Sequence, residues 1–130
     1  MEPDGISASL QDYLEAILNL SRQAETVRVT DIALKLNLAK ASVAQALALL
    51  KEQDLIRQER YGPVELTEKG RHYASVIQSR HKILLGFLVE VLGVDRQTAE
   101  KDACLMEHAV STETMEKLVD FLEKRGLRFT

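Results

Sequence analysis

The sequence predicts a mainly α protein, an N-terminal winged helix-turn-helix followed by a second helical region. Three observations point there. The hydrophobic pattern runs helix, helix, helix, hairpin, then three further helices. A short helix broken at Asn37 is followed at once by an Ala- and Leu-rich helix. One Gly62-Pro63 turn then separates two short β-prone runs. Two helices at a tight turn, followed by a two-stranded ribbon, make a winged helix-turn-helix.

Each element has its own signal. "SASLQDYLEAILNLSRQ" opens on Ser and spaces Leu10, Leu14, Ile17 and Leu18 as a helix does. "VRVTDIALKLNL" reads as a short extended lead, a Thr30 N-cap, a helix through Leu36 and a breaker at Asn37. "AKASVAQALALLKEQDLI" sets Val43, Leu47 and Leu50 on one side of a helix over about Lys40 to Gln53. Ile56, Val64 and Leu66 mark the hairpin strands. Thr67 then caps a long helix, Glu68 to Leu92, ended by Gly93. Gly70 and Gly86 interrupt it, each costing up to about 1 kcal/mol relative to Ala. "DRQTAEKDACLMEHAV" and "STETMEKLVDFLEKRG" give the last two helices, with a Ser111-to-Thr114 start and a Gly126 stop.

Composition narrows the function classes. The 130 residues are 45% hydrophobic and 28% charged, ordinary for a folded domain. No apolar run approaches the roughly 20 residues needed to span a bilayer. The acidic start "MEPDGISAS" carries no secretion signal, and a single cysteine forms no internal disulfide. A cytoplasmic protein without a membrane partner is the expectation. The net charge of −3 hides an asymmetry. From Arg28 to Lys82 ten basic residues face six acidic ones, a net +4, while the rest of the chain carries −7. A basic middle suits phosphate binding; chance surface variation is the plainer alternative.

The second motif helix would enter the major groove, with its N-terminal end on the bases. Ala39, Lys40, Ala41, Ser42 and Gln45 lie there. Small residues permit close approach, Gln45 suits a bidentate contact to adenine, and Ser42 suits a base or a phosphate. Arg57, Arg60 and Tyr61 on the wing suit the backbone or the minor groove. The plain alternative is a solvated Ala-rich helix.

"CLMEH" gathers Cys104, Glu107 and His108 within about 100° of one another on a helix, with Glu100 one turn earlier. Leu105, Met106, Ala109 and Val110 are expected to point elsewhere, toward a core. Thiol, carboxylate and imidazole suit Fe(II), Mn(II), Co(II) or Zn(II), and not calcium. Asp12 and Glu15 share a polar face of the first helix. His81 lies in line with Ile77, Leu84 and Leu88 and should point inward; His72 should face solvent. Each has a bland reading: a solvated acidic pair, a hydrogen-bonded core histidine, a small hydrophobic thiol.

Together "LQDYLEAILNL", "VRVTDIALKLNLAKASVAQAL", "GPVELTEKGR", "SRHKIL" and "DACLMEH" resemble the diphtheria toxin repressor and manganese transport regulator family over about Ser7 to Lys124. The resemblance implies a metal-activated transcriptional repressor, not an enzyme, with a winged DNA-binding domain at 1–72 and a helical metal-binding and dimerisation domain at 73–130. It implies a homodimer on a palindromic double-stranded DNA operator controlling metal-uptake genes, with no small-molecule substrate. It implies one or two Mn(II) or Fe(II) ions per subunit. Asp12 and Glu15 match the helix-one ligands of manganese-type members, His81 the long-helix histidine, and Glu107 with His108 the Glu-His pair. Cys104 matches the cysteine of iron-type members, so the chain is a hybrid. Leu85 stands where many members carry a Glu ligand. The chain resembles the short, manganese-type architecture without an SH3-like domain. Leu84, Phe87, Leu88, Leu118, Phe121 and Leu122 are expected at the dimer contact, or in the core.

Three other classes compete. A metal-independent winged-helix regulator is the nearest alternative, and metal-dependent operator binding discriminates it. A thiol switch at Cys104 needs a low thiol pKa, which Glu107 and Glu100 oppose. A metalloenzyme leaves the winged motif unexplained.

Overall fold

The computed structural model describes residues 5–129. Six helices and one hairpin follow in order: α1 (Ala8–Ser21), α2 (Val29–Leu36), α3 (Lys40–Glu52), β1 (Ile56–Gln58), β2 (Val64–Leu66), α4 (Glu68–Gly86), α5 (Arg96–Ala109) and α6 (Thr112–Glu123). They form two compact units, residues 8–75 and residues 76–129, with residues 5–7 grouped with the second.

In the first unit α1 buries Tyr13, Leu14, Ala16, Ile17 and Leu18. Val43, Leu47 and Leu50 of α3 are buried at helical spacing. Full burial of a side chain such as Leu50 contributes roughly 1.5–3 kcal/mol. The axes of α2 and α3 turn through 111°, inside the range of helix-turn-helix pairs. Asn37 makes the turn in the left-handed region (φ 55°, ψ 50°), as a helix breaker should. The start of α2 corrects one expectation, because Arg28 rather than Thr30 is its N-cap. Val64 N–H donates to Val27 O at 2.7 Å, tying residue 27 to the sheet. The helix begins two residues later, and Asp31 reaches back to accept from the Arg28 N–H at 2.9 Å.

Strands β1 and β2 pair antiparallel, Ile56 opposite Leu66 and Gln58 opposite Val64. Ile56, Val64 and Leu66 are buried while Arg57 and Glu65 are exposed, the alternation of a half-buried ribbon. Thr67 joins wing and helix: its hydroxyl donates to Asp54 O at 2.7 Å and accepts from Gly70 N–H at 3.0 Å. Gly70 packs against the wing so closely that a Cβ there would stand 1.9 Å from Leu55 O.

The core of the second unit contains Leu84, Leu88, Ala99, Ala103 and Met115, with Met106, Val110 and Leu118 packed against it. The α-helical path expected to run to Leu92 ends at Gly86, and a π-helical turn, Phe87–Val91, completes it. Leu92 N–H donates to Phe87 O at 3.1 Å. Gly93, at φ 72°, then reverses the chain. Asp95 caps α5 by accepting from Gln97 N–H at 3.1 Å, and Ser111 caps α6 through Thr114 N–H at 3.2 Å. Of the residues expected at the dimer contact or in the core, Leu84, Leu88 and Leu122 are buried within the chain (2%, 7% and 2% exposed). One expectation is corrected here. Leu105, expected inward, is 75% exposed, and Ala109 is exposed as well.

Candidate nucleic-acid interface and metal centre

The face of α3 opposite its buried stripe carries Ala39, Lys40, Ala41, Ser42, Ala44 and Gln45, all exposed. Ala39 is the N-cap, in extended conformation without a side-chain cap bond. No side-chain cap covers the first-turn N–H groups. Lys40 places a positive charge where the helix dipole is also positive, an arrangement that costs about 0.3–1 kcal/mol unless an anion relieves it. On the wing Arg57, Arg60 and Tyr61 are exposed. Tyr61 turns the hairpin at φ 61°, and Arg60 lies over its ring at 5.2 Å. Lys51 Nζ donates to Gln58 O at 2.9 Å, fastening α3 to β1.

In the second unit His81 on α4 meets Cys104 and Glu107 on α5. One donor atom from each lies within 4.8 Å of the other two. Donors at about 2.0–2.3 Å from one ion stand at most roughly 4.6 Å apart, so these side chains need little movement to share one. His81 Nδ1 lies 3.2 Å from Glu107 Oε2 and 3.9 Å from Cys104 Sγ. Glu107 is buried (3% exposed) in a helix face otherwise lined by Ala99 and Ala103. Its second oxygen faces His108 Nε2 at 3.5 Å. A buried carboxylate between two imidazoles and a thiol suits a borderline divalent cation, so the donor set fits the expected ion. His72 is exposed, as expected.

Asp12 and Glu15 lie on α1 in the first unit, Asp12 exposed and Glu15 half-buried. The three-donor cluster is formed by second-unit residues alone.

Sequence reasoning missed Arg80. Its guanidinium is buried and donates to Glu107 O at 3.3 Å, Val110 O at 2.7 Å and Thr112 Oγ1 at 3.0 Å. Arginine is rarely this buried without several partners, and periodicity carries no signal for it. Glu100, noted on the ligand face, accepts from or faces His81 Nε2 at 3.0 Å.

Comparison with known proteins covers nearly the whole chain. Residues 5–64 match the iron dependent repressor N-terminal DNA binding domain. Residues 67–126 match the iron dependent repressor metal binding and dimerisation domain. An uncharacterized HTH-type transcriptional regulator of Methanocaldococcus jannaschii is 38% identical over 92% of this chain and 96% of its own. The transcriptional regulator MntR of Escherichia coli O6:H1 is 36% identical over 92% of this chain and 76% of its own. A solved manganese-dependent transcriptional repressor in complex with manganese superposes with a TM-score of 0.74 at 30% identity over 84% of this chain. The present chain spans about half (50%) of the length of that solved chain.

Proposed function

The chain belongs to the iron-dependent repressor family, and from that membership we propose that it is a dimeric repressor of metal-uptake genes, activated by Mn(II) or Fe(II) on a palindromic operator. The family is one of DNA-binding, metal-binding transcriptional repressors rather than of enzymes. The observation that carries the metal reading is the cluster of His81, Cys104 and Glu107. Among the described residues no single helix is long and apolar enough to cross a membrane. A DNA-binding repressor acts where the DNA lies, and the cytoplasm is the compartment proposed for it.

In this reading His81, Cys104, Glu107 and His108 hold the cation, and Asp12 and Glu15 are further candidate ligands, for one or two ions per subunit. A bound divalent cation would supply positive charge that offsets repulsion among the carboxylates around it. The metal-loaded chain then favours conformers in which two reading heads match one operator. Ala39, Lys40, Ser42 and Gln45 address bases and adjacent phosphates, and the dipole cost at Lys40 is relieved by a phosphate. Arg57 and Arg60 hold the backbone. Phe87, Leu118 and Phe121, which keep exposed area, form part of the dimer face. Residues 1–72 form the DNA-binding domain and 73–130 the metal-binding and dimerisation domain; the outer ends of both lie outside the described residues.

The test is selection from a random duplex library with Mn(II) or Fe(II), and again with chelator. A palindromic motif enriched only with metal is the expected result. Equal enrichment under chelator contradicts the switch, and a motif without two-fold symmetry contradicts the dimeric operator.

A further inference from the structure

We infer that Glu100 is a positioning residue for the metal centre, holding the His81 ring so that Nδ1 is the nitrogen offered to a cation. The inference rests on the reading that His81, Cys104 and Glu107 bind the metal.

The two ring nitrogens of His81 have different surroundings. Nε2 faces Glu100 Oε2 at 3.0 Å. Nδ1 faces Glu107 Oε2 at 3.2 Å and Cys104 Sγ at 3.9 Å. Glu107 and Cys104 therefore meet the ring at Nδ1, and Glu100 meets it at Nε2. A neutral imidazole has one N–H and one lone pair. A cation on Glu107 Oε2 would take up that acceptor, and Glu100 Oε2 is then the acceptor left beside the ring, so the hydrogen stays on Nε2 and the lone pair on Nδ1 is free for the cation.

The backbone makes this arrangement inexpensive to build. Glu100 precedes Cys104 by four residues on α5, one turn away on the same face. A single helix thus supplies the orienting carboxylate, the thiol and, three residues later, the buried Glu107. The His81 side chain is 21% exposed and that of Glu100 46% exposed. The ring is thus largely shielded by protein while Glu100 keeps part of its hydration. A ring turned by 180° about Cβ–Cγ would put Cδ2 where Nδ1 stands and Cε1 where Nε2 stands, so the 3.0 Å contact to Glu100 selects the ring orientation that keeps a nitrogen toward Glu107 and the thiol.

The experiment loads isotope-labelled-histidine protein with an NMR-active cadmium(II) isotope and compares wild type, Glu100→Ala and Glu100→Gln. Cadmium–nitrogen coupling at His81 Nδ1, with the proton on Nε2, is expected in the wild type. Glu100→Ala should lower cadmium affinity about 10–100-fold while leaving the cadmium chemical shift in place, because the donors are unchanged. Glu100→Gln retains an acceptor oxygen and should restore most of that affinity. Coupling through Nε2, a shifted cadmium resonance in Glu100→Ala, or unchanged affinity in that variant would each overturn the positioning role alone. No coupling to His81 in the wild type would overturn the metal-site reading, and this inference with it.

Discussion

The Arg80 guanidinium donates to the Val110 carbonyl at 2.7 Å, and so pins the end of α5 from inside the second unit. The same group holds Glu107 O and Thr112 Oγ1. It therefore fixes the backbone beside the Glu107-His108 pair, while its neighbour His81 faces the Glu107 carboxylate. Arg80→Ala leaves these acceptors buried without their donor. It should lower unfolding free energy by about 2–4 kcal/mol. Arg80→Lys should recover little, since one ammonium does not reproduce the planar fork. Urea denaturation monitored by circular dichroism reads both.

DNA reading and metal sensing should separate by mutation. Gln45→Ala should reduce operator preference by about 1–3 kcal/mol and leave metal affinity alone. Arg57→Ala should weaken binding evenly across sequences and reduce the salt slope by about 1. Glu107→Ala or His108→Ala should keep the fold and the weak non-specific DNA affinity, with metal activation lost. Anisotropy titrations on operator and scrambled duplexes, repeated across salt, check all four. An unchanged sequence preference in Gln45→Ala would mean that α3 sits in the groove in a different register.

Much of the fold was legible because its boundaries carry local chemistry. Asn37, Thr67, Ser111, Gly93 and Gly126 mark turns and caps that the structure uses. The start of α2 is less legible, because Thr30 has the chemistry of a cap while the pairing of Val27 with Val64 sets the boundary earlier, at Arg28. The π-helical turn at Phe87–Val91 begins directly after Gly86, which the sequence marks as an interruption, but nothing in its own residues distinguishes a π-helical turn from an α-helical one. At the candidate site, hydrophobic periodicity failed for a physical reason. It assigns apolar residues inward, yet α5 turns Glu107 into the core and Leu105 out to solvent. A buried acid among alanines has no pattern of its own, and a site that needs one departs from the local rule. Arg80 escaped notice likewise, because a lone arginine reads as surface until its acceptors are known.

Gly70 offers a test of the wing's seating. A Cβ at this position would meet the Leu55 carbonyl at 1.9 Å, a backbone atom that cannot swing aside. Gly70→Ala should cost about 1–3 kcal/mol through overpacking, despite Ala's better helix propensity. Thermal unfolding measures the loss. A stabilised variant would show that β1 and α4 part readily.

Cys104 should tune metal choice. A thiolate is a softer donor than a carboxylate and favours Fe(II), Co(II) or Zn(II) relative to Mn(II). Cys104→Glu should therefore move the midpoint ratio of operator activation toward Mn(II). X-ray absorption on the Fe(II)-loaded wild type should show metal–sulfur scattering. An unmoved ratio together with no such scattering would make Cys104 a bystander.

The most direct test of metal-switched DNA binding is the metal affinity itself, measured with and without saturating operator duplex. Linkage is reciprocal. If a bound cation strengthens operator binding by some factor, the operator must strengthen cation binding by the same factor, typically about 5–150-fold. A calorimetric Mn(II) or Fe(II) titration should show that gain with operator and much less of it with a scrambled duplex. Equal metal affinity in the presence and absence of operator would contradict the account.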